Sequence, residues 1–180
     1  YGTVIEKEFG EPEGEGISIH ESMRIMLNSD SKYSHIIYDH GTGEIADYIT
    51  LAEDDDAISV SLFHVKAKKG AQYNSDVEDI YEVMQQSIKS IIWLKTKSVL
   101  LQKIIDRRKS GKACFQRGTL DELKTLLRGN KRFVAKIYAV QPAVSITHDM
   151  PDKYKEILAA AVFYIRHSGR VKQLRIWGSK

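Results

Sequence analysis

Three short segments between residues 35 and 67 are rich in β-branched and aromatic residues, and short polar turns separate them. They cover residues 35–38, about 44–52 and 58–67. Segments with this composition and these separators are typical of β-strands. Because turns of a few residues join antiparallel neighbours, the pattern predicts a three-stranded antiparallel meander in the first half of the chain.

Helical periodicity and capping residues surround these strands, and two more strand-like segments follow. The sequence predicts helices at about residues 18–28, 76–94, 97–108, 119–128 and 151–167, and further strands at about 133–140 and 172–177. The predicted order is therefore α-β-β-β-α-(α-α)-β-α-β. This order predicts an α/β fold in which a small mixed sheet has helices on both faces.

The 180 residues have the length of one ordinary domain. Residues 1–16 combine glycine and proline with five glutamates, which predicts a flexible acidic lead-in before a single domain over residues 17–180. One cysteine, Cys114, cannot form an internal disulfide, which favours a reducing, cytoplasmic setting. No apolar run approaches the roughly 20 residues that span a bilayer, so we expect no membrane partner. Tyr1 does not begin a signal peptide, and we expect a piece of a longer protein.

Charge is distributed unevenly along the chain. The net charge is +3, yet residues 1–60 carry 3 Lys/Arg and 14 Asp/Glu, whereas residues 95–136 carry 13 Lys/Arg and 3 Asp/Glu. We therefore predict a basic helical insertion at about residues 95–132 that contacts a nucleic-acid backbone. The candidate contacts are Arg107, Arg108, Lys109, Lys112 and Arg117. Pairing between the acidic and basic segments, or plain solvation of helix faces, is the alternative.

Two neighbouring predicted strands carry ionisable side chains on otherwise apolar faces. Asp47 shares a face with branched aliphatic residues of the second strand, while His64 and Lys66 end the apolar face of the third. A charge in such a place is costly unless it is paired or binds a metal. Because a short turn joins the two strands, we expect Asp47 to approach His64 and Lys66.

This set of side chains meets the needs of metal-assisted phosphodiester hydrolysis. A carboxylate and a second ligand hold a divalent ion, which neutralises the phosphate and lowers the pKa of a bound water. An adjacent ammonium orients or deprotonates that water, or stabilises the oxyanion. A buried ion pair between Asp47 and Lys66 that only ties the two strands together is the alternative.

The residues around Asp47 and Lys66 resemble the PD-(D/E)xK nuclease superfamily, which has the restriction-endonuclease-like fold. The similarity rests on Gly-Glu-Ile-Ala-Asp at 43–47 followed by Phe-His-Val-Lys at 63–66. With the preceding Asp-His-Gly-Thr and the closing Leu-Arg-Ile-Trp-Gly-Ser, the chain is similar to nuclease-like domains attached to superfamily 2 helicases of prokaryotic defence proteins. The resemblance covers about residues 17–179.

The resemblance implies a role for each matching residue. Asp47 stands at the metal-binding aspartate and Lys66 at the catalytic lysine, while His64 stands where the superfamily has Asp or Glu. Imidazole binds Mn²⁺ and other transition ions better than it binds Mg²⁺, so the exchange alters the metal preference or weakens the nuclease. Glu44 would supply the missing carboxylate if a bulge turned it toward Asp47. Asp39 is the reserve candidate.

Two further residues match weaker features of the superfamily. Gln86, on the helix after the third strand, resembles a helical glutamine that some branches direct at the metal site. An ordinary exposed glutamine is the alternative. Glu21 lies in the region where many such nucleases carry an additional acidic residue, and its role in a capping box with Ser18 is the alternative.

The sequence therefore predicts a metal-dependent nuclease that uses Mg²⁺ or Mn²⁺, hydrolyses DNA and belongs to a larger helicase-linked restriction or phage-defence protein. A catalytically inactive DNA-binding or partner-binding module of the same fold is the second hypothesis. A structural interaction domain is the third. The sequence leaves open the strandedness of the substrate, endonucleolytic or exonucleolytic cutting, and whether the unit forms a homo-oligomer.

Overall fold

A computed structural model describes residues 3–6, 8–9, 16–68 and 73–179. Its elements in chain order are β1 Thr3–Val4, β2 Ile17–Ser18, α1 Ile19–Ser29, β3 His35–Asp39, β4 Tyr48–Glu53, β5 Ala57–Val65, α2 Val77–Ser90, α3 Lys97–Lys109, β6 Ala113–Arg117, α4 Leu120–Arg128, β7 Arg132–Ser145, α5 Asp152–His167 and β8 Val171–Ser179. A 3₁₀ turn over Ile91–Leu94 follows α2. The fold is mixed α/β, as predicted.

The main sheet has the strand order β6-β3-β4-β5-β7-β8. The predicted meander is confirmed, because β4 pairs antiparallel with both β3 and β5. β5 then pairs parallel with β7, and β7 pairs parallel with β8. Parallel neighbours need crossover connections, which the helices between these strands provide.

Helices cover both faces of this sheet, which confirms the predicted layering. On one face, Met23 and Leu27 of α1 pack with Phe63 of β5. On the other face, Ile49 of β4 and Leu62 of β5 pack with residues of α3, α4 and α5. α2 and α5 share a third apolar cluster on that same side. The alternation along β5 therefore assigns each of its side chains to one helical layer.

The basic segment contains a strand that the sequence reasoning did not predict. Residues 95–132 were expected to be helical, yet β6 pairs antiparallel with the edge of β3 and separates α3 from α4. β6 has only five residues, and Gln116 and Arg117 at its end give it little apolar alternation. A short edge strand of this composition is recognised through its partner strand rather than through its own pattern.

β7 also runs further than predicted. The sequence places its end before Pro142, because proline cannot donate a ladder hydrogen bond. The structure continues to Ser145, and its pairing with β8 is irregular between Val140 and Ser145. The proline falls within that irregularity, so no regular ladder bond is lost. The side chain of Gln141 accepts a hydrogen bond from the backbone N–H of Ala143 at 2.9 Å in the same stretch.

The lead-in over residues 1–16 is only partly covered by the structure. Residues 1–2, 7 and 10–15 lie outside the described residues. Within the described part, β1 pairs parallel with β2, and the backbone N–H of Lys68 donates to the carbonyl of Ile5 at 2.9 Å. None of the helices in the described ranges has the length and hydropathy needed to cross a membrane.

Candidate active site

A pocket of about 610 Å³ lies where β4 begins and β5 ends. The structure brings all five predicted catalytic residues to its wall: Glu44, Asp47, His64, Lys66 and Gln86. Three segments that are distant in the sequence meet there, namely the loop before β4, the end of β5 and one side of α2. The pocket therefore joins the charged strand ends and the helical glutamine that the sequence reasoning had grouped together.

The loop between β3 and β4 is built around a buried ion pair. Arg107 of α3 donates from Nε to Asp39 Oδ1 at 2.6 Å, and its other nitrogens donate to the carbonyls of His40, Gly41 and Thr42. Asp39 Oδ2 also accepts the backbone N–H of Ile45 at 2.8 Å. Asp39, the reserve metal candidate, is thus committed to holding this loop.

The loop also explains how Glu44 reaches the pocket. Gly41 and Gly43 adopt φ values of 93° and 81°, which side chains with a Cβ rarely adopt, so the chain turns sharply here. Residue 44 lies in this turn rather than in a regular strand, and strand alternation does not apply to it. The Glu44 carboxylate accepts the Gly41 backbone N–H at 3.0 Å. Instead of a bulge, a glycine turn supplies the second carboxylate.

Asp47 lies immediately before β4 and is only 4% exposed. Its Oδ2 accepts the backbone N–H of Val65 at 2.8 Å, so a side chain replaces the next ladder bond between β4 and β5. The strand β4 therefore begins at Tyr48, whereas the sequence predicted a start at residue 44. Asp47, Glu44 and His40 each offer one ligand atom, and these three atoms lie within 4.8 Å of one another.

Both carboxyl groups of this cluster are held in an environment that disfavours their charge. Burial raises the pKa of Asp47 well above its usual range, with further contributions from Glu44 and Glu8, and the Val65 N–H opposes the shift. Burial also raises the pKa of Glu44, against the hydrogen bond from Gly41 and the nearby His40. A bound divalent cation would reverse this cost, because it favours the ionised form.

His64 contributes to the pocket wall but lies outside the ligand cluster. It is 1% exposed, and its Nε2 lies 3.1 Å from Ser90 Oγ. The Ser90 hydroxyl donates its one hydrogen to the Ser87 carbonyl, so His64 Nε2 is the donor. Burial lowers the pKa of His64 to about 3. The structure thus places His40 where the sequence reasoning expected His64, although His40 stands within the motif that begins at Asp39.

Lys66 contacts carboxylates other than Asp47. Its Nζ lies 3.2 Å from Glu8 and 3.0 Å from Glu82. Partial burial opposes the ammonium charge, but Glu82 and Glu8 outweigh it and raise the pKa of Lys66. Lys66 therefore stays protonated at neutral pH. The alternative of a simple Asp47–Lys66 ion pair is not the arrangement found.

Three side chains in this region have buried polar atoms without hydrogen-bond partners. They are Gln86 at Oε1 and His64 at Nδ1, both on the pocket wall, and His20 at both ring nitrogens, beside Asp47. Buried polar atoms are normally satisfied, so such exceptions call for a ligand or a water. The donor set of carboxylates, imidazole and amide oxygen fits a divalent ion. Glu21 is turned elsewhere, because it pairs with Arg24 on the surface.

The predicted nucleic-acid contacts divide into two groups. Arg107 is 5% exposed and bonded to the loop, and Arg117 donates to backbone carbonyls between α1 and β3. Arg108, Lys109 and Lys112 are exposed. The sequence reasoning missed two cations on the pocket wall, Lys89 and Lys103. Helical spacing was the available signal, since Lys89 follows Gln86 by three residues and Lys103 precedes Arg107 by four.

Comparison of the chain with protein-family models, curated proteins and solved structures finds no match. The resemblance to PD-(D/E)xK nucleases therefore stays a prediction based on the motif residues.

Proposed function

We propose that the protein is a metal-dependent nuclease that hydrolyses phosphodiester bonds in DNA. The observation that carries the proposal is one shared pocket. The metal-ligating cluster of His40, Glu44 and Asp47 and the ammonium of Lys66 all line it. Phosphodiester hydrolysis needs a water to be activated and charge on the phosphate to be stabilised at one place.

The residues of this chain divide the chemical work. His40, Glu44 and Asp47 would hold a divalent ion, Mg²⁺ or Mn²⁺, which would neutralise charge on the phosphate and lower the pKa of a water. The Val65 N–H fixes the Asp47 carboxylate, so this ligand is oriented in advance. Because Lys66 stays protonated, its role is to stabilise negative charge on the phosphate oxygens rather than to remove a proton. Gln86 Oε1, which has no donor within the described protein, would accept a hydrogen bond from a water bound in the pocket.

The exposed cations support a path for the DNA backbone toward this pocket. Lys89 and Lys103 stand on the pocket wall, and Lys112 Nζ lies 3.5 Å from the Thr42 carbonyl at its rim. Arg108 and Lys109 extend the positive surface from there. Contacts of this type bind phosphates without reading base sequence, so affinity should fall steeply with salt.

The proposal also includes a restriction-endonuclease-like fold for this domain. The mixed sheet, with a meander followed by parallel strands, and the motif residues at 39–47 and 63–66 support a restriction-endonuclease-like fold. The same motif residues support membership in a larger helicase-linked defence protein.

A cleavage assay with duplex and single-stranded DNA tests the activity. We expect cutting with Mg²⁺ or Mn²⁺ and none with EDTA. Asp47→Asn and Lys66→Met should each lower the rate by about 100-fold or more, the usual effect of losing a group that stabilises the transition state. Asp121→Asn and Lys32→Met change the same residue types at exposed positions and serve as controls. Unchanged cleavage by the pocket variants would contradict the proposal.

The burial of His64 favours a second candidate function. The position that carries an acidic residue in the superfamily holds a neutral imidazole bonded to Ser90. A domain with this change would bind DNA or a protein partner without cutting. Salt-sensitive DNA binding, with no cleavage in the presence of Mg²⁺, Mn²⁺, Co²⁺ or Zn²⁺, would favour this candidate over the nuclease.

A further inference from the structure

We propose that His20 is a fourth ligand of the ion in this pocket, and that the site consequently selects a divalent transition metal such as Mn²⁺ over Mg²⁺. The inference rests on the proposed function, because it places the ion at the cluster of His40, Glu44 and Asp47. It adds a residue from α1, which the motif does not contain, and it defines the class of metal.

The first observation is an imidazole buried without partners. His20 is the second residue of α1 and is 5% exposed, and neither of its ring nitrogens has a hydrogen-bond partner. Leaving a buried polar group unsatisfied destabilises the folded state, because nothing replaces its hydrogen bonds to water. An apolar side chain would avoid that cost at this position. Two unsatisfied nitrogens on one ring therefore indicate a ligand that the protein itself does not provide.

The second observation is the direction of this ring. His20 Nε2 lies 3.8 Å from Asp47 Oδ1, which is too far for a hydrogen bond. Two ligand atoms that each lie about 2.1 Å from one metal ion are at most about 4.2 Å apart. The 3.8 Å separation therefore suits two ligands of the same ion. The three ligand atoms of the His40, Glu44 and Asp47 cluster lie within 4.8 Å of one another, and His20 approaches this cluster through Asp47.

The third observation is that His20 is held in place beside the other imidazole. Phe9 stacks on the His20 ring at 4.0 Å between centroids and contacts the His40 ring at 4.6 Å. The Tyr48 hydroxyl donates to the His20 carbonyl at 2.8 Å, which fixes the first turn of α1. One aromatic ring thus contacts both imidazoles and holds them side by side.

The chemistry of the resulting ligand set determines the metal. Two imidazoles and two carboxylates form a mixed nitrogen and oxygen site. Mg²⁺ prefers oxygen ligands and keeps several waters, whereas imidazole suits transition ions. His20 therefore contributes to the binding of Mn²⁺ much more than to the binding of Mg²⁺.

Calorimetric titration of the metal-free protein with MnCl₂ and with MgCl₂ provides the first test. We expect His20→Gln to weaken Mn²⁺ binding by about 10-fold or more and Mg²⁺ binding by less than about 3-fold, given the usual cost of disturbing a metal site. His167→Gln, an exposed histidine on α5, is the matched control and should bind both ions as the wild type does. Equal Mn²⁺ affinity of wild type and His20→Gln would overturn the proposal.

A second measurement does not depend on the folding of a core variant. Pulsed electron paramagnetic resonance of the Mn²⁺-loaded protein counts the nitrogen atoms bound to the metal. The wild type should show two, and His40→Gln, changed at an exposed residue, should retain one. Loss of every nitrogen coupling in His40→Gln would contradict the role of His20 while leaving the proposed nuclease intact. Absence of binding of either ion to the wild type would instead refute both proposals.

Discussion

Two buried aspartates lie eight residues apart on either side of the glycine turn, and their hydrogen-bond partners differ. Asp39 receives the guanidinium of Arg107 and the backbone N–H of Ile45. Asp47 receives one backbone N–H, from Val65, and otherwise faces the unpartnered imidazole of His20. Both are less than 5% exposed.

The two aspartates differ in how far the protein compensates their negative charge. A buried charge is tolerable when a permanent protein cation compensates it. Arg107 provides such a cation at Asp39, although burial still raises the pKa of Asp39. At Asp47 the compensation is incomplete, and the nearby carboxylates Glu44 and Glu8 add repulsion. Asp39 therefore stabilises the loop, whereas the less compensated Asp47 suits the metal ion that we propose.

The largest effect should follow the loss of the cation beside Asp39. Arg107→Met leaves a buried carboxylate and three backbone carbonyls without their donor, and we expect it to lower the free energy of unfolding by about 3–5 kcal/mol. Urea denaturation measures the change. Arg108→Met, at the exposed neighbouring position, should stay within about 0.5 kcal/mol. Similar small changes in both variants would show that the Asp39 pair does not hold the loop.

The next effect is stabilisation by metal through Asp47. Mn²⁺ at about 100 times its Kd should stabilise the wild type by about 2.7 kcal/mol, because it binds the folded state. Asp47→Asn should lose most of this gain, since it removes a charged ligand. Thermal unfolding with and without Mn²⁺ measures both. A full metal-dependent shift of Tm in Asp47→Asn would place the ion elsewhere.

A smaller effect concerns the pH dependence of the metal-free protein. The pKa values of Asp47 and Glu44 are raised on folding. Their contribution to stability is therefore complete below about pH 4, the unfolded value, and is lost as the pH rises through their folded values. Asp47→Asn should reduce the loss of stability at high pH. It should therefore raise Tm at pH 8 by about 2–4 °C, which corresponds to about 1 kcal/mol.

Asp121→Asn, at an exposed position on α4, is the control for the pH experiment. It should leave the pH profile of Tm between pH 5 and pH 8 close to that of the wild type. A metal-free Asp47→Asn protein that is less stable than the wild type at pH 8 would mean that Asp47 is compensated as fully as Asp39.

The smallest effect should come from the carboxylates around Asp47. Glu44→Gln and Glu8→Gln each remove a repulsive charge, so both should lower the pKa of Asp47. Glu44→Gln should lower it more, because Glu44 contributes more to the shift than Glu8 does. A carbon-13 titration of the Asp47 carboxyl by NMR measures the change. A larger shift with Glu8→Gln would reverse this order.

Much of the fold was predictable from local pattern. Alternation of apolar residues located β5, and the Ser18 and Thr119 caps located the starts of α1 and α4. Thr119 forms the complete capping box with Glu122. The edge strand β6 was not predictable in this way, because its five residues form a strand by pairing with β3.

The candidate site was predictable in its composition and less so in its geometry. Asp47 and Lys66 reach one pocket, as their positions on neighbouring strands indicated, and Gln86 lines the same pocket, as the resemblance implied. His40 and His64 both belong to the motif residues, and the sequence pattern does not indicate which of them joins Glu44 and Asp47. The burial of Arg107 was equally hidden, since the neighbouring Arg108 and Lys109 are exposed and the three look alike in the sequence.

Local patterns in the sequence specify most of the elements, because capping and side-chain alternation act over a few residues and leave a periodic signal. They also indicate that ionisable groups lie at the ends of two adjacent strands. The packing of helices on the sheet, in contrast, brings His20 of α1 to Asp47 and Arg107 of α3 to Asp39. These contacts join residues 27 and 68 positions apart, and they depend on how helices pack on the sheet rather than on any spacing within the chain.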